Sequence, residues 1–329
     1  MKAIIQSAYG EPEKVLSLQD VPTPEPKEGE VLIRVHASAI NDYDWSMSRG
    51  KPHLYRLLFG LTKPKNPIPG MEVAGTVEKL GPGTTQFKPG DEVYGDTSDH
   101  GFGTLAEYIC LSEKSLIIKP SAMSFEEATT LPHAGLLAYQ GLFEIGNLQK
   151  GQKLLINGGG GGVGTLGLQL AKALNVEVTG VDTGGKLEMM KSLGFDNVID
   201  YKKEDFTRSG KQYDLILDCK TSRPPRSYLR SLSSNGHYVT VGGHLNRLMQ
   251  FAIASPLVNR TSSKKLSILS LKPNKGLYEI NRLFEDGKIK PIVDGPYPLE
   301  KTPWAIQYFG EGLHSGKIVI SVLDSRSKG

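Results

Sequence analysis

Cysteine and long apolar runs are both scarce in this sequence. Its 329 residues include two cysteines, Cys110 and Cys219, which lie far apart in apolar, strand-like stretches. Two such cysteines cannot build a disulfide framework or a thiolate zinc site, so we expect buried free thiols. No apolar run approaches the roughly 20 residues of a membrane span, and no signal-peptide core is present in the N-terminal MKAIIQSAYG. These absences predict a cytoplasmic protein with no integral membrane segment.

A large excess of charge of one sign is also absent. The chain has 39 basic and 35 acidic residues, for a net charge of +4. The basic residues are spread along the sequence in small clusters, such as Lys63 with Lys65 and Lys264 with Lys265. Such clusters are typical of solvated surfaces, and we expect no nucleic-acid partner. The sequence also offers no Ser/His/Asp triad and no carboxylate pair that would indicate hydrolysis.

Two domains of different type are predicted from the length and the pattern of the chain. Residues 1–122 have the pattern of short strands separated by Gly and Pro turns. From Ser124, where Glu127 completes a capping-box signature, strands alternate with helical stretches. This alternation predicts an α/β fold with a doubly wound parallel sheet over residues 123–271. The remainder, residues 272–329, is expected to fold back onto the β-rich part.

The most informative segment is a run of glycines that follows a short apolar strand at residues 154–157. Five glycines, at 158–162, precede a Val-Gly pair and an apolar stretch at helical spacing. Strand, glycine turn and helix in this order predict a dinucleotide-binding loop, in which backbone N–H groups at a helix start hold a pyrophosphate. The Gly-x-Gly-x-x-Gly pattern fits in two registers, which start at Gly159 or at Gly162. We prefer the first, whose leading glycine lies nearer the strand.

Several further motifs extend over essentially the whole chain. They are an Asn-x-x-Asp motif at 41–44, PGMEVAG at 69–75, GDEV at 90–93, TLP-x-AGL at 130–136 and the glycine-loop signature at 151–172. Together they are similar to the motifs of the zinc-independent quinone oxidoreductase branch of the medium-chain dehydrogenase/reductase superfamily. One departure is Gly159–Gly160, which replaces a small Ser/Ala pair. It makes the loop more flexible and should leave phosphate binding intact.

The resemblance implies a fold and a chemistry. The doubly wound sheet would be a Rossmann domain at residues 123–271, and residues 1–122 with 272–329 would be a GroES-like catalytic domain. The implied activity is NAD(P)H-dependent, zinc-independent hydride transfer to quinones or α,β-unsaturated carbonyls. Asn41 or one of its neighbours stands where zinc-dependent relatives carry a cysteine, and Met71 stands where they carry a histidine; neither Asn41 nor Met71 is a zinc donor. Hydrogen bonds would then have to stabilise the negative charge that develops on the acceptor oxygen.

The resemblance also assigns catalytic residues. Asn41 would project near the nicotinamide and the substrate, Asp44 would support its loop, and Thr130 would face the nicotinamide. Simpler roles stay open: a turn residue for Asn41, a helix N-cap for Asp44 and a helix-interior hydroxyl for Thr130. Lys317, in the terminal Gly-Lys-Ile-Val motif, would reach the site unless it is a surface lysine, and His133 is interpreted as structural. The aromatic residues between positions 43 and 59 would form either a lid over an apolar substrate or ordinary packing.

The cofactor contacts implied by the resemblance follow successive strands of the Rossmann domain. They are Gly159, Gly161, Gly162, Val163, Gly164, Asp182, Thr183, Lys186, Tyr201, Gly242, Gly243, Leu269 and Leu271, with Lys317 added from the chain end. Asp182 closes the second strand, where an acid accepts hydrogen bonds from the adenosine ribose and favours NAD. Lys186 and Tyr201 resemble residues of NADP-preferring members. We favour NADP and leave NAD open.

Two other functions and an assembly are also considered. The chain could be an alcohol or carbonyl dehydrogenase of the same superfamily, or a cofactor-binding sensor or scaffold without catalysis. Relatives are usually homodimers that join their nucleotide-binding sheets edge to edge. The apolar stretch at residues 266–271 suits such an edge, because an exposed edge strand needs covering. We therefore expect a homodimer.

Overall fold

The computed structural model describes residues 1–323, apart from the side chain of Leu58. Its strands are β1 (Lys2–Gln6), β2 (Leu16–Asp20), β3 (Glu30–Ala39), β4 (Glu72–Leu80), β5 (Glu92–Asp96), β6 (Tyr108–Ser112), β7 (Ile117–Ile118), β8 (Lys153–Asn157), β9 (Glu177–Asp182), β10 (Asn197–Asp200), β11 (Tyr213–Asp218), β12 (Leu232–Thr240), β13 (Lys265–Ile268), β14 (Val293–Pro298) and β15 (Lys317–Ser321). Its helices are α1 (Pro12–Val15), α2 (Asp42–Arg49), α3 (Leu54–Phe59), α4 (Phe125–Ala128), α5 (Ala134–Tyr139), α6 (Gly162–Lys172), α7 (Leu187–Leu193), α8 (Pro225–Ser231), α9 (Leu245–Thr261), α10 (Leu277–Glu285) and α11 (Thr302–Gly310).

The chain forms two compact units. The first comprises Met1–His133 and the chain from Val293 onward, and the second is Ala134–Ile292. These boundaries differ from the predicted ones, 122/123 and 271/272, for two reasons. The capped helix α4 packs on β3 and β4 and so belongs to the first unit, whereas α10 packs on α5 and so belongs to the second. The predicted first domain also included residues 324–329, which lie outside the described residues.

The second unit is the predicted doubly wound sheet. Six strands pair in parallel in the order β10-β9-β8-β11-β12-β13. Central strands of such a sheet are covered on both faces, and accordingly four of the five residues of β8 are buried. Part of the core is a stack of aromatic rings that joins Tyr228 of α8, Tyr238 of β12 and Phe251 of α9, with the last two centroids 4.6 Å apart. The predicted Rossmann domain is confirmed.

The first unit is the β-rich domain. A seven-stranded sheet runs in the order β14-β15-β3-β4-β5-β7, with β6 also pairing with β3, and β1 and β2 form a separate hairpin. All of these pairs are antiparallel except that of β14 with β15. Because β15 pairs with β3, the end of the described chain does return to this unit as expected.

Two predicted strands have different bounds. The strand expected at residues 106–110 is β6, Tyr108–Ser112, while Ala106 makes only an isolated bridge to Ala3. The strand expected at residues 266–271 is β13, which ends at Ile268 because its partner β12 ends at the facing residue Thr240. As predicted, β13 forms one edge of the six-stranded sheet.

The glycine loop connects β8 to α6 as the sequence predicts. Gly161 is the N-cap, and α6 begins at Gly162. Gly164 lies so close to the loop that a Cβ atom there would be 2.3 Å from the Gly158 carbonyl oxygen and 2.5 Å from the Gly159 Cα. Those neighbours are backbone atoms, which cannot move aside without deforming the loop. Only glycine therefore fits at position 164 in this loop geometry.

The first test concerns this close approach. Gly164→Ala should lower the free energy of unfolding by about 1–3 kcal/mol, because the added methyl group collides with backbone atoms. Gly185→Ala is the matched control, since a Cβ there has no atom of the described chain within 4 Å. Urea denaturation of both variants measures the difference. Equal stabilities would contradict the packing described for Gly164.

Candidate active site and cofactor site

Asn41 and Asp44 lie at the start of α2 and are both buried. The Asn41 backbone N–H donates to Asp44 Oδ2 at 2.8 Å, and the Gly70 backbone N–H donates to Asp44 Oδ1 at 2.9 Å. Asn41 is the N-cap and Asp44 stands in the first turn. Asp44 thus joins the start of α2 to the segment that leads into β4, which fixes the Asn41 backbone.

The centre of this site is the carboxylate of Glu72, the first residue of β4, which has no exposed surface. Its Oε2 accepts a hydrogen bond from Asn41 Nδ2 at 2.8 Å and is 2.7 Å from Lys317 Nζ. Its Oε1 accepts from the His133 backbone N–H at 2.7 Å. Lys317 Nζ also donates to Asn41 Oδ1. The sequence analysis did not assign Glu72 to the site, although it stands in the PGMEVAG motif.

His133 extends the cluster to a second buried carboxylate. Its ring Nδ1 is 2.9 Å from Asp96 Oδ2, and Asp96 ends β5 with no exposed surface. Burial opposes ionisation of Asp96, but hydrogen bonds from His133 and Ser98 together lower the pKa of this carboxyl. His133 thus contacts both carboxylates, Glu72 through its backbone and Asp96 through its ring. The sequence could not predict this double contact, because Glu72 and Asp96 are both distant from His133 along the chain.

The pKa of Asp44 shifts in the opposite direction to that of Asp96. Burial raises the pKa of Asp44 to about 6, despite the backbone hydrogen bonds from Asn41 and Gly70 and the nearby charge of Lys317. Asp44 therefore titrates close to physiological pH.

Thr130 is fully buried, and its hydroxyl donates to the Glu127 carbonyl oxygen at 2.7 Å. This is the backbone contact of a helix-end hydroxyl, the simpler role left open for it. Thr130 is nevertheless three residues from His133 and so belongs to the segment that reaches the carboxylate cluster.

A cavity of about 180 Å³ in the first unit adjoins the cluster at Asp44. Its walls are mostly apolar and include Tyr43, Met47, Phe59, Ile68 and Phe102. The Phe102 ring lies 6.0 Å from both the Tyr43 and the Phe59 rings. Two residues of the aromatic stretch between positions 43 and 59 thus line a cavity. Trp45 packs instead against the core of this unit.

The second unit places the glycine loop beside Asp182 and Lys186. The Asp182 carboxylate accepts hydrogen bonds from the Gly160 and Thr183 backbone N–H groups at 2.9 and 2.8 Å. Lys186 Nζ is 3.8 Å from the same carboxylate, and both side chains are at least nine-tenths buried. The first-turn N–H groups of Gly162, Val163 and Gly164 have no acceptor within α6, as in any helix. Asp182, which favours NAD, and Lys186, which favours NADP, therefore form one ion pair next to the glycine loop.

The remaining predicted cofactor residues lie around the carboxyl ends of the strands. Tyr201 follows β10; its backbone N–H donates to the Asp182 carbonyl oxygen, and its side chain is about half exposed. Gly242 follows β12, and its carbonyl oxygen accepts from the Thr221 hydroxyl at 2.6 Å. At Gly243, a Cβ would meet the Lys220 carbonyl oxygen at 2.5 Å. Leu269 directly follows β13, and Leu271 lies two residues further along the chain.

Asp218 is a residue of this region that the sequence analysis missed. It ends β11, is fully buried, and accepts through Oδ1 from Asn157 Nδ2 and from the backbone N–H groups of Lys220 and Thr221, at 2.8 to 2.9 Å. The Tyr238 hydroxyl donates to its Oδ2 at 2.8 Å. The sequence signal that could have found Asp218 is an acidic residue at the end of a predicted strand. The side chain fixes the loop after β11, next to the glycine loop.

Comparisons with known proteins agree with the fold. Residues 27–121 match the family model described as "Alcohol dehydrogenase GroES-like domain", and residues 193–320 match the one described as "Zinc-binding dehydrogenase". The chain is 35% identical to "Quinone-oxidoreductase QR1, chloroplastic" of Triphysaria versicolor, over 97% of this chain and 98% of that protein. It is 32% identical to "NADPH-dependent alkenal/one oxidoreductase, chloroplastic" of Arabidopsis thaliana, over 97% and 79%.

A solved structure gives the same result. The quinone oxidoreductase from Coxiella burnetii superposes with a TM-score of 0.86 at 29% identity, covering 98% of this chain and 99% of that one. The chain belongs to the quinone oxidoreductase branch of the medium-chain dehydrogenases/reductases. Its predicted Rossmann and GroES-like domains are those of this family.

A catalytic zinc ion takes three protein ligands, usually from His, Cys, Asp and Glu side chains. Within residues 1–323, no three His, Cys, Asp or Glu side chains are grouped so that they could hold a metal. Glu72 already pairs with the Lys317 ammonium at 2.7 Å, and a second cation beside it would be repelled. Asn41 and Met71 add no ligand that zinc prefers.

The second test concerns Asp44. The folded protein holds its proton more tightly than the unfolded chain, since the pKa of Asp44 is about 6 instead of 3.8. Its contribution to the free energy of unfolding is therefore complete below the unfolded pKa of 3.8 and is lost, by about 3 kcal/mol in all, as pH rises through about 6. Asp44→Asn lacks this component. The difference between the variant and the natural protein in urea denaturation should change between pH of about 4 and 7.

Asp42→Asn is the matched control for this pH series. Asp42 lies two residues away at the start of the same helix but is exposed. A pH dependence that is the same for both variants would show that the burial of Asp44 does not control its ionisation.

Proposed function

We propose that this protein is an NADPH-dependent reductase of quinones or α,β-unsaturated carbonyls that works without zinc. The observation that carries the proposal is the buried Lys317 ammonium. Two of its three N–H donors are directed to Asn41 and Glu72. Its third donor can then stabilise an acceptor oxygen as it becomes negative. The names of relatives, a quinone oxidoreductase and an NADPH-dependent alkenal/one oxidoreductase, support the same acceptor class.

The second unit would bind NADPH, which supplies a hydride when bound. The N–H groups at the start of α6 suit its pyrophosphate, and the glycines leave room for close approach. Lys186 and Tyr201 would contact the 2′-phosphate; the Tyr201 backbone N–H already donates to the carbonyl oxygen of Asp182, the partner of Lys186. Asp182 would hold the loop through the Gly160 N–H and balance the charge of Lys186.

The first unit would act on the acceptor. Hydride addition to the β-carbon of an enone leaves an enolate, and addition to a quinone leaves a phenolate. A cation held by Glu72 and Asn41 stabilises either anion without a metal, and a proton from water or from Tyr43 completes the reduction. The apolar walls of the Tyr43–Phe59–Phe102 cavity would hold the carbon skeleton of the acceptor.

The proposal includes an assembly and a location. We propose a homodimer in which the β13 edges of two copies pair, because the edge strand leaves backbone groups to be covered. We propose the cytoplasm as location, since Cys110 and Cys219 are free and suit a reducing compartment. In residues 1–323 no helix is both long and apolar enough to cross a bilayer.

The third test measures the loss of reduced-nicotinamide absorbance with NADPH, and separately with NADH, against one quinone and one alkyl enone. We expect turnover with NADPH. Lys186→Met should raise the KM for NADPH about 10-fold to 100-fold, the cost of a lost charge-assisted phosphate contact, and change the KM for NADH little. Lys202→Met, which removes an exposed charge from the same unit, is the control.

Three outcomes would contradict this assignment. Turnover with NADH alone would make Asp182 the deciding residue. Cofactor binding without turnover of any acceptor would favour a sensor or scaffold. Activity that is lost on dialysis against a chelator and restored by zinc would favour a zinc-dependent dehydrogenase.

The fourth test concerns Lys317. Lys317→Met should lower kcat by about 10²-fold to 10³-fold, as expected for the loss of one oxyanion donor, and leave the KM for NADPH unchanged. The single variant also leaves the Glu72 charge buried and unpaired, which costs about 3–5 kcal/mol of stability. Glu72→Gln combined with Lys317→Met removes that charge, so it should recover stability but not kcat. A double variant that recovers both would show that Lys317 is only structural.

A further inference from the structure

Helix α9 has an apolar outer face without a partner in the described chain. Met249, Ile253 and Leu257, spaced four residues apart, are 58%, 78% and 67% exposed. The fully buried residue of this 17-residue helix, Phe251, lies on its inner side against Tyr228 and Tyr238. A three-residue stripe of large apolar side chains in water indicates a contact surface rather than scattered exposed residues.

The segment that contains α9 has charge of one sign only. From Cys219 to Tyr278 there is no acidic residue, although the whole chain has almost as many acids as bases, 35 and 39. The same segment has ten basic residues, which are Lys220, Arg223, Arg226, Arg230, Arg247, Arg260, Lys264, Lys265, Lys272 and Lys275. In residues 1–323, only Arg223 and Lys275 of these ten pair with a carboxylate. The net charge of +4 hides this local excess.

The neighbouring helix α8 carries part of this charge. It packs beside α9 through Tyr228, whose ring is 5.7 Å from that of Phe251. Around its start, a polar cavity of about 370 Å³ is lined by Arg208, Arg223, Arg226 and Arg230, and its wall also includes Asp205. Asp205 is 3.2 Å from Arg223 and 3.7 Å from Arg208. Arg226 and Arg230 remain available for the phosphate of a ligand.

We propose that the α8–α9 face of the second unit binds the surface of an anionic lipid bilayer. Interfacial helices combine a large apolar side chain stripe with nearby Lys and Arg, and each basic residue near an anionic membrane adds to the affinity. The stripe would enter the boundary between head groups and acyl chains, and the arginines of α8 would contact lipid phosphates. The proposal does not depend on the reductase activity.

The observations favour a bilayer over two other occupants. A second copy of the chain would bring two faces together that each carry an excess of basic residues, and like charges repel across an interface. A nucleic acid would neutralise the cations but would leave Met249, Ile253 and Leu257 against a polar backbone, without the aromatic platforms that stack on bases. The pairing proposed for β13 uses the backbone edge of that strand, whereas the stripe consists of exposed side chains of α9, the helix that packs on β13.

The experiment is co-sedimentation of the full-length protein with vesicles. One set contains phosphatidylcholine alone, and the other also contains about one third phosphatidylglycerol. We expect binding to the anionic vesicles only, with a loss of at least about tenfold between roughly 0.1 M and 1 M salt as the charges are screened. Equal binding to both sets, or binding to neither, would overturn the proposal.

Two variants test the two components of the surface. Met249→Ser with Ile253→Ser and Leu257→Ser removes the stripe, and Arg226→Gln with Arg230→Gln and Arg260→Gln removes charge. Each should weaken the partition into anionic vesicles at least tenfold. Reduction of a soluble acceptor should stay unchanged, which shows that each variant is folded.

Matched controls exist in the same chain. Leu54, Leu57 and Leu61 are 54%, 64% and 69% exposed in the first unit, and their triple change to Ser removes a comparable apolar surface. Changing Lys202, Lys203 and Lys211 to Gln removes three exposed charges from the second unit outside the acid-free segment. Both controls should bind vesicles as the natural protein does. Weakened binding in either control would show that loss of any exposed leucines or lysines reduces vesicle binding, which would contradict the proposal.

Three further measurements identify other occupants. If inorganic phosphate saturates the natural protein in a calorimetric titration and the protein binds no vesicles, the arginine cavity is a site for a free anion. A dimer mass that becomes a monomer mass in the stripe variant would assign the face to a second copy. Binding of an oligonucleotide that is unchanged in the stripe variant would assign it to nucleic acid. Each of these results overturns the proposal.

Discussion

The buried carboxylate of Glu72 is the constraint on which the first unit depends. A charge with no exposed surface is costly unless every oxygen is compensated, and here three distant parts of the chain supply the compensation. Asn41 comes from the start of α2, His133 from the end of this unit's first chain segment, and Lys317 from the start of β15. The pairing of β15 with β3 brings Lys317 to its place, so the return of the chain end completes the site.

The same compensation decides what chemistry the cluster can support. The Lys317 ammonium is a fixed, buried cation held by the Asn41 amide and the Glu72 carboxylate. Such a preorganised group can stabilise a developing oxyanion without reorganisation during the reaction. In the proposed reaction, the charge of the acceptor delocalises over a conjugated system, which hydrogen bonds can stabilise.

Periodicity and turn chemistry predicted the larger features of this structure but not its long-range contacts. The glycine loop, the capping box at Ser124 and the β13 edge follow from local patterns, because φ preferences and side-chain period act over a few residues. The position of α10 does not, since only its packing on α5 assigns it to the second unit. Asp218 was overlooked, and Glu72 and His133 were not assigned to the site, for the same reason: their partners are distant in sequence, and a lone acid in a sequence looks like any other acid.

Asp182 and Lys186 show how two opposing sequence signals can be reconciled. Taken separately, the acid favours NAD and the lysine favours NADP. In the structure they form one buried pair beside Gly160, and the Asp182 carboxylate also accepts two backbone hydrogen bonds. An acid that is neutralised in this way repels a 2′-phosphate much less than a free carboxylate would. The presence of Asp182 in the sequence is therefore weak evidence against NADP, because its charge is already balanced four residues along the chain.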